Sequence, residues 1–390
     1  MFFIGKKMIK KFLLSILLVN FFSSNSFAEE KKSTDADKPN IILGGFFDTE
    51  YNFPLGKDIF FDQRRIGVKL KGNFNKRLSF NTQVELEHGG LWDGNKDGEI
   101  KVNKAFLDFK LFDWLGFRSG VFLLPLGNTN LLYDPSKRET TSLSLFSRYM
   151  VPAAWIEPGL GFFGEVSPTN TWKIKYDFYV TQGLTDDIDD EEGLKDSKPF
   201  LFNDNNNNKA LSGKVSFIPF NNLEVGLSTY FCKFDKNNDK YLGMGVGDFK
   251  YTLGDLELLG EGSFVSITPA EVKDNNGKVV AIVKGPMFGY TLETRYRLRP
   301  EFLKMSFLGK DFEKPTITLF GRFDQTDGDM TILNQYDKLQ GTIGFNYRPI
   351  ESVAFKFEYQ HNINTEALIR NDSTKQKLGN QLIGSVAVGF

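Results

Sequence analysis

The feature of the sequence that most constrains the fold is an alternation of apolar and polar side chains that recurs along almost the whole chain. About sixteen segments of about 9 to 13 residues show apolar side chains at every second position. In the segment from Trp172 to Thr181, for example, apolar residues alternate with Lys173, Lys175 and Asp177. This period predicts β-strands that have one apolar face and one polar face.

The connections between these segments are alternately short and long. Up-and-down strands produce such an order when one rim of a barrel faces the periplasm and the other faces outwards, whereas a two-sheet sandwich has no reason to sort its connections. The connection at 299–314 departs from the rule, because it should be short and is long. The short connections are 75–77, 112–114, 167–170, 218–222, 253–255 and 348–352, and the long ones include 89–99, 182–208, 268–286 and 365–377.

These patterns predict an all-β fold, a transmembrane antiparallel up-and-down β-barrel of about 16 strands that covers residues 40–390. Tilted strands of about 9 to 11 residues are long enough to cross the apolar layer of a membrane. The barrel must close, because lipid cannot satisfy the hydrogen bonds of an open strand edge. A division into two or three soluble domains would suit the length, but the pattern is the same from end to end.

Residues 1–28 have the layout of a secretory signal peptide. Four lysines precede an apolar run from Phe12 to Phe22, and small residues lead to Ala28. Residues 29–39 are charged and lack an apolar period, which predicts a flexible periplasmic lead-in. The signal peptide carries four of the 48 basic residues and none of the 49 acidic ones, so the mature chain has a net charge of −5 and no nucleic-acid partner is expected.

The longest break in the strand pattern within the first half of the mature chain is 124–158, a segment with several prolines and many Ser and Thr residues. Such a segment is not a strand, and its mixture of apolar and charged residues is not typical of a solvated tail. In a closed barrel it can fold into the lumen and narrow the passage, which predicts a channel. The candidate constriction residues are Lys137, Arg138, Glu139, Arg148 and Glu157.

The polar faces of the strands supply candidate residues for the wall of the lumen. Most charged residues in a water-filled lumen are solvated wall, and selectivity is set at the narrowest point. The basic candidates are Arg65, Lys69, Lys104, Arg118, Lys173, Lys175, Lys214, Arg295, Arg297, Arg322 and Lys356. The acidic ones nearly balance them: Asp48, Glu50, Glu85, Glu87, Asp108, Glu165, Asp177, Glu224, Glu261, Glu293, Asp324 and Glu358.

Two observations favour anions over cations as the solutes. Among the candidate constriction residues, the three basic ones outnumber the two acidic ones, Glu139 and Glu157, and the field of a narrow, low-dielectric passage is dominated by the charges that line it. Arg295 and Arg297 are the sharpest candidates on the wall, because their spacing places them on one face with Arg299, which belongs either to this face or to the periplasmic rim.

The glycines Gly243, Gly245 and Gly247 leave the two faces of one strand undecided, because Leu242, Met244 and Val246 compete with them for the lipid side. Small residues on the lipid side would mark a contact between subunits. Glycines inside a strand are also a common sign of a β-bulge, and both alternatives stay open.

The sequence contains little that points to a metal site or an enzyme. Asp93, Asn95, Asp97 and Gly98 match the start of a calcium loop, but Lys104 stands where the bidentate Glu is expected, so an ordinary turn is favoured and no metal or cofactor is expected. The two histidines, His88 and His361, lie at strand ends, and no catalytic partner is evident beside either. An outer-membrane hydrolase, and a structural or adhesive barrel with a closed lumen, are the alternatives to a channel.

The final segment, NQLIGSVAVGF, alternates Leu382, Val386, Val388 and the terminal Phe390. It resembles the assembly signal of bacterial outer-membrane barrels, in which a C-terminal aromatic residue is read by the insertion machinery. The resemblance implies that Phe390 is the assembly signal, that the barrel assembly machinery and lipid are partners, and that the chain resides in the bacterial outer membrane.

Two stretches in the centre of the chain, GVFLLPLGNTNLLYDPSKR and SRYMVPAAWIEPGLGFFGE, resemble the porins related to the phosphate-selective porins O and P. The resemblance implies a trimeric sixteen-stranded channel whose phosphate selectivity comes from basic residues that line the lumen. These basic residues cannot be matched one by one to the present sequence. The expected function is passive diffusion of small hydrophilic solutes across the outer membrane, with a preference for anions.

Overall fold

The computed structural model describes residues 39–89, 98–169, 171–188, 193–198, 201, 204, 206–273, 279–283, 285–331, 337–364 and 379–390. The predicted signal peptide and the lead-in up to residue 38 lie outside the described residues. The candidate calcium loop lies outside them as well, apart from Gly98.

The strands begin and end close to the positions that the alternation predicts. They are β1 (Asn40–Pro54), β2 (Phe60–Asn73), β3 (Leu78–Glu87), β4 (Glu99–Phe112), β5 (Leu115–Leu123), β6 (Ile156–Val166), β7 (Lys173–Thr181), β8 (Ala210–Phe220), β9 (Leu223–Lys233), β10 (Tyr241–Leu253), β11 (Leu256–Ile267), β12 (Ala270–Lys273), β13 (Val279–Val283), β14 (Met287–Leu298), β15 (Thr316–Asp327), β16 (Asp337–Arg348), β17 (Val353–Asn364) and β18 (Gln381–Gly389). A π-helical turn (Phe146–Met150) and a short helix α1 (Glu301–Met305) complete the described elements.

Sixteen of these strands form one closed antiparallel barrel, in which each strand pairs with its neighbours and β1 pairs with β18. At the seam, Gly45 N donates a hydrogen bond to Phe390 O at 2.8 Å and Phe390 N donates to Gly45 O at 3.0 Å. β12 and β13 form a separate hairpin in the connection between β11 and β14. The predicted fold class and strand number are therefore confirmed, and the barrel presents no open strand edge.

Three details differ from the sequence-based expectation. β6 already begins at Ile156, so the inserted loop covers 124–155 rather than 124–158. The connection 268–286, which the sequence predicts only as a long connection, contains the β12–β13 hairpin. The long connection at 299–315 contains α1, on the rim where the other connections are short.

The outward face of the barrel is apolar. Large apolar side chains at outward positions are exposed in every part of the wall, among them Ile66, Phe162, Leu227, Phe323 and Ile343. A soluble protein does not expose a continuous apolar surface of this size, whereas lipid tails require one. No helix among the described residues is long and apolar enough to cross a membrane.

The register decides the two faces of the glycine-containing strand β10. Leu242, Met244 and Val246 point inwards and are almost fully buried, so the glycines between them lie on the outward face. No register shift occurs between β10 and either neighbour, which excludes a β-bulge here.

The buried apolar core of the molecule lies inside the barrel. It is built from one side of the wall, mainly β5 to β11, together with both arms of the inserted loop and parts of the connection 182–209. Trp155, Phe146 and Leu145 of the inserted loop are among its fully buried members. Apolar burial therefore fixes the loop on this side, because it removes a large apolar area from water.

Inward glycines such as Gly161 allow neighbouring strands to approach closely, because they carry no Cβ atom. Substitution of such a glycine by alanine tests this packing. A Cβ atom at Gly161 would overlap the carbonyl oxygen of Phe178 and contact Tyr179, whereas a Cβ at Gly245 would meet nothing within 4 Å. We expect Gly161→Ala to lower the free energy of unfolding by about 1–3 kcal/mol. Gly245→Ala is the matched control and should change it by less than about 0.5 kcal/mol. Urea titration of the refolded protein measures both, and equal effects would contradict this packing.

Candidate functional site

The inserted loop, residues 124–155, runs through the interior of the barrel and touches opposite walls. Its first part contacts Glu261 on β11, its middle contacts Glu85 on β3, and its later part contacts Glu358 on β17. All three glutamates face inwards and are buried. The loop thus crosses the lumen and returns along the wall, and its position there is set by specific contacts.

Two wall glutamates hold the loop by its backbone. Glu261 Oε1 accepts hydrogen bonds from Asn128 N at 2.7 Å and from the next backbone N–H at 2.5 Å. On β17, the two carboxylate oxygens of Glu358 accept hydrogen bonds from Thr141 N at 2.8 Å and Ser142 N at 3.1 Å. Each carboxylate therefore satisfies two consecutive N–H groups that have no strand partner. Hydrogen bonds to a charged group contribute about 1.5–3 kcal/mol each.

Basic side chains of the wall hold the loop by its carbonyl oxygens. Lys356 Nζ donates to Pro135 O at 2.7 Å and to Thr140 O at 3.2 Å. Arg322 Nη1 donates to Ser142 O at 2.9 Å. An irregular backbone at membrane depth is tolerated only where the protein or water satisfies its polar groups, and here charged wall residues do so.

The middle of the loop is fixed to β2, β3 and β4. The hydroxyl of Tyr133 donates to the carboxylate of Glu85 and accepts a hydrogen bond from Asn103 Nδ2 at 2.9 Å. Asp134, the next residue, forms an ion pair with Lys69. Tyr133 is buried, and burial together with the neighbouring Glu85 raises the pKa of its phenol, so the hydroxyl keeps its proton and remains a donor.

The base of the loop is closed by Asn130. Its Nδ2 donates to Leu124 O at 2.8 Å and to Trp155 O at 3.1 Å, and its Oδ1 accepts from Trp155 N at 2.7 Å. One amide side chain thus joins the first and last residues of the loop. Because the side chain makes three backbone bonds, a shorter or apolar residue could not replace it.

The five candidate constriction residues do not occupy one kind of environment. Lys137 is exposed and Arg148 is half-buried. Arg138, Glu139 and Glu157 are buried. Glu139 forms an ion pair with Arg348 of the wall, at 3.2 Å between Oε2 and Nε. Lys137 and Arg148 are therefore the members of the group that solvent reaches most easily.

Arg138 is unusual among these residues, because Nε and Nη1 of its guanidinium have no hydrogen-bond partner among the described residues. Arg65 lies close enough to repel it, and Asp48 and Glu50 on β1 attract it. A buried guanidinium with unused donors is costly unless water or an anion completes its hydrogen bonds.

Glu157, the fifth candidate, joins the inserted loop to the apolar core. Its Oε1 accepts hydrogen bonds from Trp155 Nε1 and Tyr230 OH, both at 2.9 Å, and its Oε2 accepts from Gly183 N at 2.8 Å. A carboxylate bound by three donors and closed off from water is a structural anchor in this position.

The basic wall candidates lie on the inward faces of their strands, and most of them have acidic partners. Arg118 pairs with Asp108 at 2.7 Å, and Arg295 pairs with Glu293 at 2.6 Å and with Glu257 at 2.9 Å. Further pairs are Arg65 with Asp48, Lys69 with Asp134, Lys173 with Glu165 and Arg322 with Asp324. Lys175 and Arg297 have no ion pair within 4 Å in the described part of the chain.

Arg299, for which the sequence leaves both the wall face and the periplasmic rim open, follows the end of β14. It pairs with Asp255 in the turn between β10 and β11 and is half-exposed. It therefore belongs to the rim rather than to the lumen wall.

Burial changes the charge balance of the interior. Half of the acidic wall candidates are buried beneath the loop, namely Asp48, Glu50, Glu85, Glu261, Asp324 and Glu358, whereas the buried basic ones are Arg65, Lys214, Arg322 and Lys356. Three further inward lysines, Lys71, Lys110 and Lys250, and two further inward acids, Asp62 and Glu99, remain at least partly exposed. The solvent-reached part of the interior thus carries more basic than acidic side chains, although the two sets nearly balance in the sequence.

A recess of about 470 Å³ opens at the rim beside the short connections 74–77 and 113–114. Inward residues of its lining include Asp108, Lys110, Lys175 and Asp177. It gives solvent access to the charged interior from this side of the barrel.

The connection between β7 and β8, residues 182–209, contacts the end of the inserted loop through Lys198. Lys198 Nζ donates to Pro152 O at 3.2 Å and to Ala154 O at 3.5 Å. Burial lowers the pKa of Lys198 to about 8, and the nearby Lys101 adds to the shift. The contact ties the connection 182–209 to the loop beneath it.

The histidines and acidic residues form no recognisable catalytic or metal centre in the described residues. His88 contacts the Asp62 carboxylate at 2.9 Å on the exposed outer rim, and His361 is exposed near the end of β17. No group of three or more His, Cys, Asp or Glu side chains is placed to hold a metal ion in the part of the chain that the structure describes.

Several residues that position the loop were not singled out from the sequence. Asn130 and Tyr133 have no periodicity, since they lie in an irregular segment, and their only signal is that polar groups interrupt the apolar run LGNTNLLY. Glu261, Glu358 and Lys356 were identified as wall residues, but nothing in the alternation indicated that they hold the loop.

The two carboxylate anchors generate a test of how the loop is held. We expect Glu358→Ala to make the amides of Thr141 and Ser142 exchange with deuterium about 10- to 100-fold faster, because each loses a charge-assisted hydrogen bond of about 1.5–3 kcal/mol. Glu224→Ala is the matched control, because Glu224 also faces inwards but has no hydrogen bond to the loop among the described contacts. Unchanged exchange at both amides in Glu358→Ala would show that the carboxylate does not anchor the loop.

Comparison with known proteins supports the fold. No protein-family model matches the chain. An uncharacterised protein of Aquifex aeolicus (strain VF5) is 26% identical over 350 residues, which cover 83% of this chain and 76% of that protein. The relative has no described activity, so it adds none here.

Solved structures with the same fold are outer-membrane proteins. Salmonella typhi OmpF is 10% identical with a TM-score of 0.57 (91% of this chain, 98% of OmpF), and the anion-selective porin of Comamonas acidovorans is 11% identical with a TM-score of 0.54 (90% and 100%). OmpT of Vibrio cholerae in its trimer form is 13% identical with a TM-score of 0.54 (91% and 100%). These likenesses concern the fold: the chain is a sixteen-stranded β-barrel of the outer-membrane type.

Proposed function

We propose that the chain is a porin of the bacterial outer membrane through which small hydrophilic solutes diffuse passively. The observation that carries this proposal is the division of the barrel into an apolar outward face and a charged inward face, with an inserted loop held across the interior. Lipid favours the first face, and water and polar solutes favour the second. The loop narrows the passage, so that size and charge are selected at one level of the lumen.

The proposal includes a preference for anions. Inward basic side chains that solvent reaches outnumber the acidic ones, Lys137 extends from the loop into solvent, and Arg138 has hydrogen-bond donors without a partner among the described residues. A narrow, low-dielectric passage strengthens the field of such charges. The porin of Comamonas acidovorans with this fold is described as anion-selective, which is in line with the proposal. Phosphate itself remains a prediction from the resemblance to the porins O and P.

Assembly belongs to the same proposal. The barrel inserts with the help of the barrel assembly machinery, which reads the exposed aromatic ring of Phe390, and three copies form a homotrimer in the membrane. A trimer form of Vibrio cholerae OmpT, which has the same fold, supports this assembly state. No enzymatic activity and no cofactor are part of the proposal.

A barrel with a closed lumen is the second candidate, because one observation favours it. Most residues of the inserted loop between Tyr133 and Pro152 are buried, and the apolar core fills one side of the interior. If the remaining side were closed as well, the protein would serve a structural or adhesive role through its outer connections. Conductance separates this candidate from the porin.

The first test is electrical recording across a planar lipid bilayer that contains the refolded mature chain. We expect discrete conductance steps and, in a KCl gradient, a reversal potential whose sign indicates chloride over potassium. Absence of steps would favour the closed barrel. Steps with a cation-selective sign would leave the porin in place and contradict the anion preference.

The second test concerns Lys137, the exposed basic residue of the loop. We expect Lys137→Glu to lower the permeability ratio of chloride to potassium about two- to fivefold, since the reversed charge acts on ions at a distance of several ångströms. Lys57→Glu is the control, because Lys57 is exposed in the connection between β1 and β2. This substitution introduces the same change in charge. Equal shifts in both variants would show that Lys137 does not line the passage.

A further inference from the structure

The connection between β14 and β15, residues 299–315, is long on a rim where the others are short, and the porin function does not use it. It exposes large apolar side chains: Phe302 is 64% exposed, Met305 79% and Phe307 80%. In water such exposure is unfavourable, because each of these side chains leaves a large apolar area in contact with solvent.

The segment has a defined conformation, so the exposure does not come from a loose chain. Leu303 is buried, Ser306 Oγ donates to Leu303 O at 2.8 Å, and Gly309 N donates to Ser306 O at 3.1 Å. A Cβ atom at Gly309 would overlap the carbonyl oxygen of Leu303, so the turn is tightly closed. These contacts hold Met305 and Phe307 on the outside of the turn.

The segment is attached to the outer wall of the barrel. The hydroxyl of Tyr347, an outward residue near the end of β16, donates a hydrogen bond to Leu308 O. The outward side chains around this point are apolar and exposed, including Tyr296, Leu319 and Phe345. The apolar side chains of the segment therefore continue the lipid-facing surface at its edge.

Basic side chains lie between the apolar ones. Lys304 and Lys310 are exposed, on the same short segment as Phe302, Met305 and Phe307. Apolar side chains that alternate with lysines at the edge of a membrane surface suit the boundary between acyl chains and headgroups, where the lysines reach the phosphate groups.

We propose that residues 299–315 form a membrane anchor that inserts into the phospholipid leaflet on the short-connection side of the barrel. Phe302, Met305 and Phe307 enter the acyl boundary, and Lys304 and Lys310 contact phospholipid phosphates. The occupant of the apolar surface is lipid, since the surface is continuous with the lipid-facing wall. This proposal depends on the placement of the barrel in a membrane and not on transport through it.

The test measures the depth of a nitroxide label on the full mature chain, in vesicles of phosphatidylethanolamine and phosphatidylglycerol. The label is attached to Phe307→Cys in a Cys232→Ala background. Phe345→Cys, on the lipid-facing wall, and Asn221→Cys, in an exposed short turn, are the two reference positions. We expect the label at 307 to resemble the one at 345, with relaxation enhanced at least about fivefold more by oxygen than by a water-soluble nickel chelate.

Two results would overturn the proposal. A label at 307 that is as accessible to the nickel chelate as the label at 221 would place the segment in water. Dipolar broadening that disappears when labelled protein is diluted with unlabelled protein would assign the segment to a contact between two copies of the chain. A heat-dependent shift in electrophoretic mobility confirms that each labelled variant is folded, so a failure to fold is not mistaken for either result.

Discussion

The structure depends on hydrogen bonding to an irregular backbone that is enclosed within a barrel. Residues 124–155 have no strand partners, yet they cross the interior at membrane depth, where unpaired N–H and C=O groups are costly. Glu261 and Glu358 supply acceptors for consecutive N–H groups, while Lys356 and Arg322 supply donors for carbonyl oxygens. Many charged side chains of the wall therefore serve as hydrogen-bond partners for the backbone of the loop.

This arrangement divides the inward charges into two groups with different roles. Residues such as Glu358 and Lys356 are buried, and their charged groups form hydrogen bonds with the backbone of the loop. Lys71, Lys175 and Arg297, in contrast, remain accessible to solvent. More of the acidic group is buried than of the basic group. Ion selectivity is then set by the charged side chains that the loop leaves accessible to solvent. The net charge of the whole wall therefore does not predict the selectivity.

The fold could be predicted from the sequence because a period of two residues is a local signal. Trp172 to Thr181 shows it without reference to the rest of the chain. The site could be predicted only in part, because an irregular segment carries no period that says where it lies. The sequence predicts Glu157 as a constriction residue, but its burial against Trp155 and Tyr230 depends on contacts between distant segments. The inward position of Met244 likewise follows from the apolar core that the loop creates.

The central claim is that the anchored loop narrows a water-filled passage. It is tested most directly by replacing residues 128–150 with a short Gly and Ser connection and comparing single-channel conductance with that of the complete chain under the same salt conditions. The account predicts small discrete steps for the complete chain and clearly larger steps for the shortened one. Equal conductance, or a shortened chain that opens while the complete chain never does, would contradict the claim.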